Sequence, residues 1–438
     1  MSDARTAELS RRHRRAAAAG RVTWTVPASG AATRMFRDLL AWRDGDDEQP
    51  SAAVRELAEN LAKLPLAAGL SADAGDLRAL VDALVSDRGR GFASQAKGLL
   101  PFHSHPDGAR TAFAEHLDEA ARLIADEDGR VRVHVTVSPA HRKRFELHLE
   151  ETRPAAEKAH GVRIEVSFSE QDPATDTLAL DPETGAPFRT GDGELVLRPA
   201  GHGALIGNLN ALDADLVFLK NIDNVIPDKR PVAAWTPAVI GAVVELEARV
   251  HACLRALDAG GQEAVADARA LLEELGYPAA GDRDALRAQL DRPLRACGMV
   301  PDTGETGGGP FWVRGRDGAV TRQVVETAQV DLDAPAQVAL VRASTHFNPV
   351  FLALALRDYR GRKHDLTRFV DQDAVIVATK SHAGRTLKAL ERPGLWNGAM
   401  AEWLTVFVEV PAAVFVPVKT VSDLLRPEHQ PRERSDRG

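Results

Sequence analysis

Three features of the sequence predict an α/β fold, a mostly parallel mixed sheet flanked by helices with helical insertions. Val22, Trp24 and Val26 alternate with Arg21, Thr23 and Thr25, and this strand pattern runs through a loop of small residues into a helical pattern ending at Trp42. Val131, Val133, Val135 and Val137 repeat the alternation, as do Val162, Ile164, Val166 and Phe168, with a helical stretch between the two sets. Residues 214–219 are a nearly continuous apolar run, as a strand buried on both faces should be. Strands that alternate with helices indicate a largely parallel sheet.

The elements follow in order. Residues 1–20 carry Arg11, Arg12, His13, Arg14 and Arg15 before four alanines, and Gly20 ends the stretch. The apolar part is too short for a signal peptide, so a solvated helix is expected. Residues 21–233 are expected to form an α/β core that binds a ligand. Within it, Val54, Leu57, Leu61 and Leu64, then Leu77, Leu80, Val81 and Leu84, recur at helical spacing and predict a helical insertion over 44–90. Residues 234–296 show helical patterns only and read as a second insertion. Residues 297–425 return to mixed strands and loops that complete the core. The stretch 426–438 is charged and bears prolines, which predicts a flexible tail.

Composition narrows the function. The 438 residues include 55 basic and 63 acidic side chains, a net charge of -8, which argues against non-specific nucleic-acid binding. A few local lysines and arginines can still hold a small polyanion. Two cysteines exclude a disulfide framework and fit a reducing cytoplasm, the expected location. No uninterrupted apolar run approaches the ~20 residues of a membrane span, so no membrane partner is expected. His103, His105, His134, His141 and His148 fall without a His-Glu-x-x-His or comparable ligand spacing, and no zinc site is expected.

Polar and glycine-bearing stretches cluster at predicted strand ends. Ser29, Gly30 and Ala31 open a small-residue turn between a strand and a helix, where backbone N–H groups can approach phosphate oxygens, and Arg34 can neutralise them. Lys97 precedes a short apolar strand and can reach the same phosphates. Gln171 ends a strand and offers an amide donor and acceptor to a nucleobase edge. Gly201, His202 and Gly203 form a second close-approach loop before a helix. Asp223 follows the buried strand, where an acidic side chain faces the ligand crevice of an open α/β sheet and can hold Mg²⁺ together with substrate phosphates. Glu305 with Gly308, then Asn348 and Glu391, are polar punctuation in the last third of the chain, suited to sugar hydroxyls.

Taken in order, these stretches resemble the nucleotidyltransferases of the Rossmann-like GT-A fold, and most closely the UDP-sugar pyrophosphorylases. Ser29 to Met35 looks like that superfamily's phosphate loop, with Gly30-Ala31-Ala32-Thr33 where Gly-x-Gly-Thr is usual. Lys97-Gly98-Leu99-Leu100-Pro101 is similar to its Pro-Lys-x-Leu-x-Pro segment. Gly201-His202-Gly203 and Asn221-Ile222-Asp223-Asn224 resemble a Gly-His-Gly-Asp and Asn-x-Asp-Asn pair, with Ala204 in place of the aspartate. Val325-Glu326-Thr327-Ala328-Gln329-Val330 resembles a Leu-Glu-Tyr-x-Gln-Val strand. The most specific match runs from Leu390-Glu391 to Phe415-Val416-Pro417-Val418-Lys419 and Ser422-Asp423-Leu424-Leu425. The whole chain also looks like a member of a bacterial family of unknown function.

The resemblance implies transfer of UMP from UTP to a sugar-1-phosphate, giving a UDP-sugar and pyrophosphate, with Mg²⁺ as cofactor. It implies that Arg34, Lys97 and Lys419 hold and polarise phosphates. Gln171, Gly201, His202 and Gly203 would hold the base, Asp223 the metal, and Glu305, Gly308, Asn348 and Glu391 would face the sugar. Two other readings share the scaffold. One is a cytidylyl- or uridylyltransferase with another phosphate or a phosphonate as acceptor. The other is a non-catalytic nucleotide-sugar sensor.

Overall fold

The computed structural model describes residues 1–70, 76–302, 304, 307–316 and 318–431. Eight strands form the central sheet: β1 (Val22–Pro27), β2 (Arg130–Val137), β3 (Arg163–Glu170), β4 (Leu216–Lys220), β5 (Leu294–Pro301), β6 (His346–Phe347), β7 (Phe351–Ala355) and β8 (Leu404–Glu409). Their order is β6-β5-β7-β4-β1-β2-β3, with β8 also paired to β5. β1 lies inside because both of its faces are apolar or small: only Pro27 is not fully buried. β1 is parallel to β2 and β4, β2 to β3, and β8 to β5. β7 runs antiparallel to both β4 and β5, so those two point the same way. The carboxyl ends of β1 to β5 and of β8 therefore share one edge, and the segment leading into β7 starts there.

Four helices matter for the site: α1 (Asp3–Ala18), α2 (Ala112–Leu123), α3 (Arg142–His160) and α4 (Arg230–Asp258). α1 forms as expected but is docked rather than solvated. Leu9, His13, Ala16 and Ala17 are buried, and the helix packs along α4. A Cβ at Gly241 of α4 would stand 2.0 Å from the Leu9 carbonyl oxygen, so only glycine permits that approach. α4 is also no inserted appendage. It packs on β5 and β7 and forms one helical layer of the core. It is long and apolar enough to cross a membrane, but more than half of its apolar window is buried inside the protein. The second expected insertion thus begins inside a core helix and ends inside β5.

The insertion over 44–90 does carry helices, Ala52–Glu59 and Leu77–Val85, which bury Val54, Leu57, Leu80, Val81 and Leu84. The tail departs from expectation at its start. Pro427–His429 is a docked turn with His429 buried, and residues 432–438 lie outside the described residues. Besides the hairpin of Pro101–His105 and Gly108–Thr111, two smaller units flank the sheet. One is the hairpin Gly308–Arg314 and Val320–Glu326. The other is a four-stranded sheet of Thr177–Leu180, Leu197–Arg198, Ile376–His382 and Arg385–Glu391.

Candidate active site

The loop after β1 and the loop after β4 meet at the carboxyl edge of the sheet. Ala31 bridges Ala96, and the Lys97 N–H donates to the Gly30 carbonyl at 3.2 Å. Lys97 Nζ then lies 2.7 Å from Asp223 Oδ2, with the two side chains 15% and 22% exposed. Gly98 makes this possible, because a Cβ there would stand 2.9 Å from the Ile222 side chain and 3.0 Å from that of Phe145. Gly30 and Arg34 are exposed at the mouth.

Lys419 reaches the same region through its backbone. The Val418 N–H donates to the Asp223 carbonyl at 3.0 Å, and the Val421 N–H to the Met35 carbonyl at 3.1 Å. Asn224 holds this segment from beneath, accepting from the Val416 N–H and donating to the Val414 carbonyl, both at 3.1 Å. Asp423 spends its carboxylate internally, accepting from the N–H groups of Lys419 (2.8 Å) and Thr420 (2.7 Å). A loop near the start of the chain, a loop at its middle and a segment near its end thus converge on Asp223.

A second group gathers around His202. Gly201 adopts φ +74°, and a Cβ on it would press 2.9 Å from Glu391 Oε2. A Cβ at Gly203 would lie 2.2 Å from the Pro393 carbonyl oxygen. His202 stacks on Trp396 with ring centroids 3.9 Å apart and planes 6° from parallel. Its Nδ1 accepts the Leu395 N–H at 3.0 Å, so Nε2 carries the ring proton and faces Glu326 Oε1 at 3.4 Å. Burial works against charge on Glu326, but His202, Asn397 and Trp396 donate to its carboxylate and hold it below the usual range. Gln171 Nε2 bonds Thr175 Oγ1 at 3.3 Å; the Thr175 carbonyl accepts from Arg392, whose N–H bonds the Ala200 carbonyl. Gly201, His202 and Glu391 are therefore neighbours, and Gln171 is linked to them through Thr175 and Arg392.

The remaining expected sugar contacts fare differently. Gly308 begins the hairpin strand, and its carbonyl accepts the Asn348 N–H at 2.7 Å. Asn348 is buried, its amide donating to the Gly298 carbonyl at 3.2 Å and accepting from the Val350 N–H at 3.3 Å. It ties strands together and presents no free amide. Glu391 pairs with Lys380 at 3.4 Å. Glu305 lies outside the described residues.

Beneath Asp223 lies a support that the sequence did not announce. α2 carries His116, whose Nδ1 accepts the Trp24 indole N–H at 3.2 Å and whose Nε2 faces the carbonyls of Asn221 (3.1 Å) and Ile222 (3.3 Å). Burial lowers its pKa to about 3, so it stays neutral and keeps this bonding pattern. One helical turn on, the fully buried Glu119 receives Lys220 at 2.6 Å and Lys229 at 3.2 Å. Those two lysines bracket the loop that carries Asp223. Burial opposes charge on Glu119, but the lysines keep it ionised below its ordinary pKa. Each residue alone reads as an ordinary helix or strand position. Glu326 was legible as part of a motif, whereas Trp396, His116 and Glu119 had no local signal.

One solved structure shares this architecture at a TM-score of 0.50: the uridine diphosphate N-acetylglucosamine pyrophosphorylase from Trypanosoma brucei, at 14% identity, covering 97% of this chain and 68% of that one. The fold is that of the nucleotidyltransferase-type pyrophosphorylases. The chain belongs to the family described as Domain of unknown function (DUF4301), which matches residues 1–430. Structures of UDP-glucose pyrophosphorylase from Leishmania major match at a TM-score of 0.45 and 17% identity, over 93% of this chain and 66% of theirs. The chain thus spans about two thirds of the length of these structures. No curated protein matches it in sequence.

Proposed function

We propose that this protein is a nucleotidyltransferase that moves UMP from UTP to a sugar-1-phosphate, releasing pyrophosphate. The observation that carries the reading is the Lys97–Asp223 pair at the carboxyl edge of the sheet, wrapped by the Gly30 loop and by the backbone of Val418 and Lys419. Ligands of open α/β sheets sit at this edge. In this reading an ionised oxygen of the sugar-1-phosphate attacks the α-phosphorus of UTP. The bond from that phosphorus to the bridging oxygen breaks, and pyrophosphate leaves with the electron pair. The nucleophile is already an anion, so no general base is required, and catalysis rests on positioning and charge neutralisation.

Arg34, Lys97 and Lys419 supply the positive charge along the phosphates. Lys97 holds Asp223 in the absence of substrate and turns to the polyanion when it arrives. Asp223 is the residue suited to Mg²⁺: a single, partly exposed carboxylate beside a phosphate site is how that ion is commonly held. When bound, Mg²⁺ would offset negative charge on the phosphates. His202, stacked on Trp396 and fixed by Leu395 and Glu326, gives the base and ribose a rigid wall next to Gly201. Gln171 faces the same end and suits the donor and acceptor edge of uracil.

The test is pyrophosphate release across a matrix of nucleoside triphosphates and sugar-1-phosphates. UTP with a hexose-1-phosphate should turn over. Lys97→Ala and Asp223→Ala should each lower kcat by about 10²-fold or more, with folding retained, since a partly exposed pair contributes only about 1 kcal/mol. Full activity in either variant removes that residue from the mechanism. Turnover with CTP and a different acceptor would select the alternative substrate class.

A further inference from the structure

A second cluster of ligating side chains adjoins the Lys220 and Lys229 clamp through Lys229, which pairs with Glu115. His103 and His105 are two apart on the strand Pro101–His105, so they share a face. The hairpin closes with Gly108–Thr111 and runs directly into α2, which brings Glu115 back against both rings. His103 Nδ1 is 2.8 Å and His105 Nε2 2.7 Å from Glu115 Oε1. The three ligand atoms lie within 4.8 Å of one another. The His-x-His spacing lies on a strand and its third member on the following helix, which is why a search for helical ligand motifs passes over it.

We propose that His103, His105 and Glu115 form a binding site for one divalent transition-metal ion of the zinc class, separate from the Asp223 site. Two imidazoles and one carboxylate are a donor set for zinc and its neighbours, whereas Mg²⁺ and Ca²⁺ take oxygen ligands. Two of the three ligands have the kind of outer partner that metal ligands usually carry: the second ring nitrogen of His103 is hydrogen-bonded and the second oxygen of Glu115 is ion-paired. His103 Nε2 faces His429 Nδ1 at 2.9 Å, with the two ring planes 11° from parallel. Glu115 Oε2 pairs with Lys229 at 2.7 Å.

Proton bookkeeping is consistent with this. In the metal-free state each histidine donates a ring proton to Glu115 Oε1. With an ion on Nδ1, His103 carries its proton on Nε2 and donates it to His429 Nδ1, and His429 carries its own on Nε2. Metal–ligand distances of about 2.0–2.2 Å place tetrahedral ligand atoms about 3.3 Å apart. The two rings therefore need to withdraw by roughly half an ångström from the carboxylate. His103 and Glu115 are fully buried, whereas His105 is 14% exposed and gives the ion a route in and an open fourth position. Glu115 and Glu119 already balance Lys220 and Lys229, so a hydroxide or another singly charged anion in the fourth position would offset half of the ion's charge.

The experiment uses the full chain, stripped with a chelator and titrated with Co²⁺ and Zn²⁺. One equivalent of Co²⁺ should give the visible absorption of a four- or five-coordinate N/O site. One equivalent of Zn²⁺ should displace it and raise the thermal midpoint. His105→Ala alters a residue near the surface, so its folding is safe, and it should weaken binding at least tenfold. His429→Gln should weaken it about 10–100-fold through His103. Asp223→Ala should leave the Zn²⁺ affinity unchanged. Absence of a one-equivalent cobalt spectrum, or equal affinity in wild type and His105→Ala, overturns the proposal. Loss of the same binding in Asp223→Ala would also overturn it, by assigning the ion to the other site.

Discussion

Glu119→Gln removes the carboxylate that both lysines bracketing the Asp223 loop share. Glu119 is fully buried, as is Lys220, which sits 2.6 Å away and has no other carboxylate at ion-pair distance among the described residues. Lys229 keeps Glu115 at 2.7 Å. The substitution therefore strands one buried ammonium. Removing one partner of a buried pair costs about 3–5 kcal/mol, a large share of a typical stability of about 5–15 kcal/mol. With a urea slope of about 3 kcal/mol per M, the unfolding midpoint should fall by about 1–1.7 M, read from tryptophan fluorescence. Glu119→Leu combined with Lys220→Met removes both charges together, so it should cost less than the sum of the single changes by about 1 kcal/mol or more. Amide exchange should accelerate over residues 221–228, because their ends lose a common anchor. An unchanged midpoint for Glu119→Gln, or strictly additive costs in the cycle, would refute the clamp.

Two further outcomes are expected. Gly203→Ala would place a methyl group 2.2 Å from the Pro393 carbonyl oxygen, and backbone must move to admit it. Trp396 follows on that segment and should lose its stack on His202, so KM for the nucleotide should rise about tenfold or more. Gly207→Ala has open space and should be silent in the same steady-state assay. Stability should also fall with acidification. Burial lowers the pKa of His13 and of His134 to about 4. The folded state keeps both neutral, while the unfolded chain protonates near 6.5. The stability is complete above that pH and is lost as pH falls from about 6.5 toward 4. Each histidine contributes a slope of up to about 1.4 kcal/mol per pH unit. Urea midpoints between pH 7.5 and 5 should show it, and His134→Gln should flatten the profile by one proton; a parallel profile would rule out His134 as a contributor.

Much of the carboxyl edge was legible because its signals are local. The alternation at 22–26 and the apolar run at 214–219 each specify a buried strand without reference to the rest of the chain. A small-residue turn after one and an acidic residue after the other then fall at the same edge of any parallel sheet. Asn221-Ile222-Asp223-Asn224 could be recognised as a motif, but the separate work of its members could not. Only the fold shows that Asn221 and Ile222 rest on His116, that Asp223 faces Lys97, and that Asn224 ties down 414–416. The docking of α1 escapes the sequence for a similar reason. Its arginine-rich pattern looks solvated in isolation, and its apolar stripe gains a partner only because Gly241 lets α4 approach.

The sequence by itself determined the four central strands Val22–Pro27, Arg130–Val137, Arg163–Glu170 and Leu216–Lys220 and the polar residues that follow them, since side-chain alternation and backbone preference act over a few neighbouring residues. The tertiary structure alone decided that Lys97, Asp223 and the segment before Lys419 meet, that Asn348 is spent on backbone, and that His103 and His105 find Glu115. Those meetings depend on hydrogen bonds and ion pairs between residues from opposite ends of the chain, as in Met35 and Val421 or His103 and His429. Such pairings are set by how the sheet orders its strands, and spacing along the chain carries no record of that order.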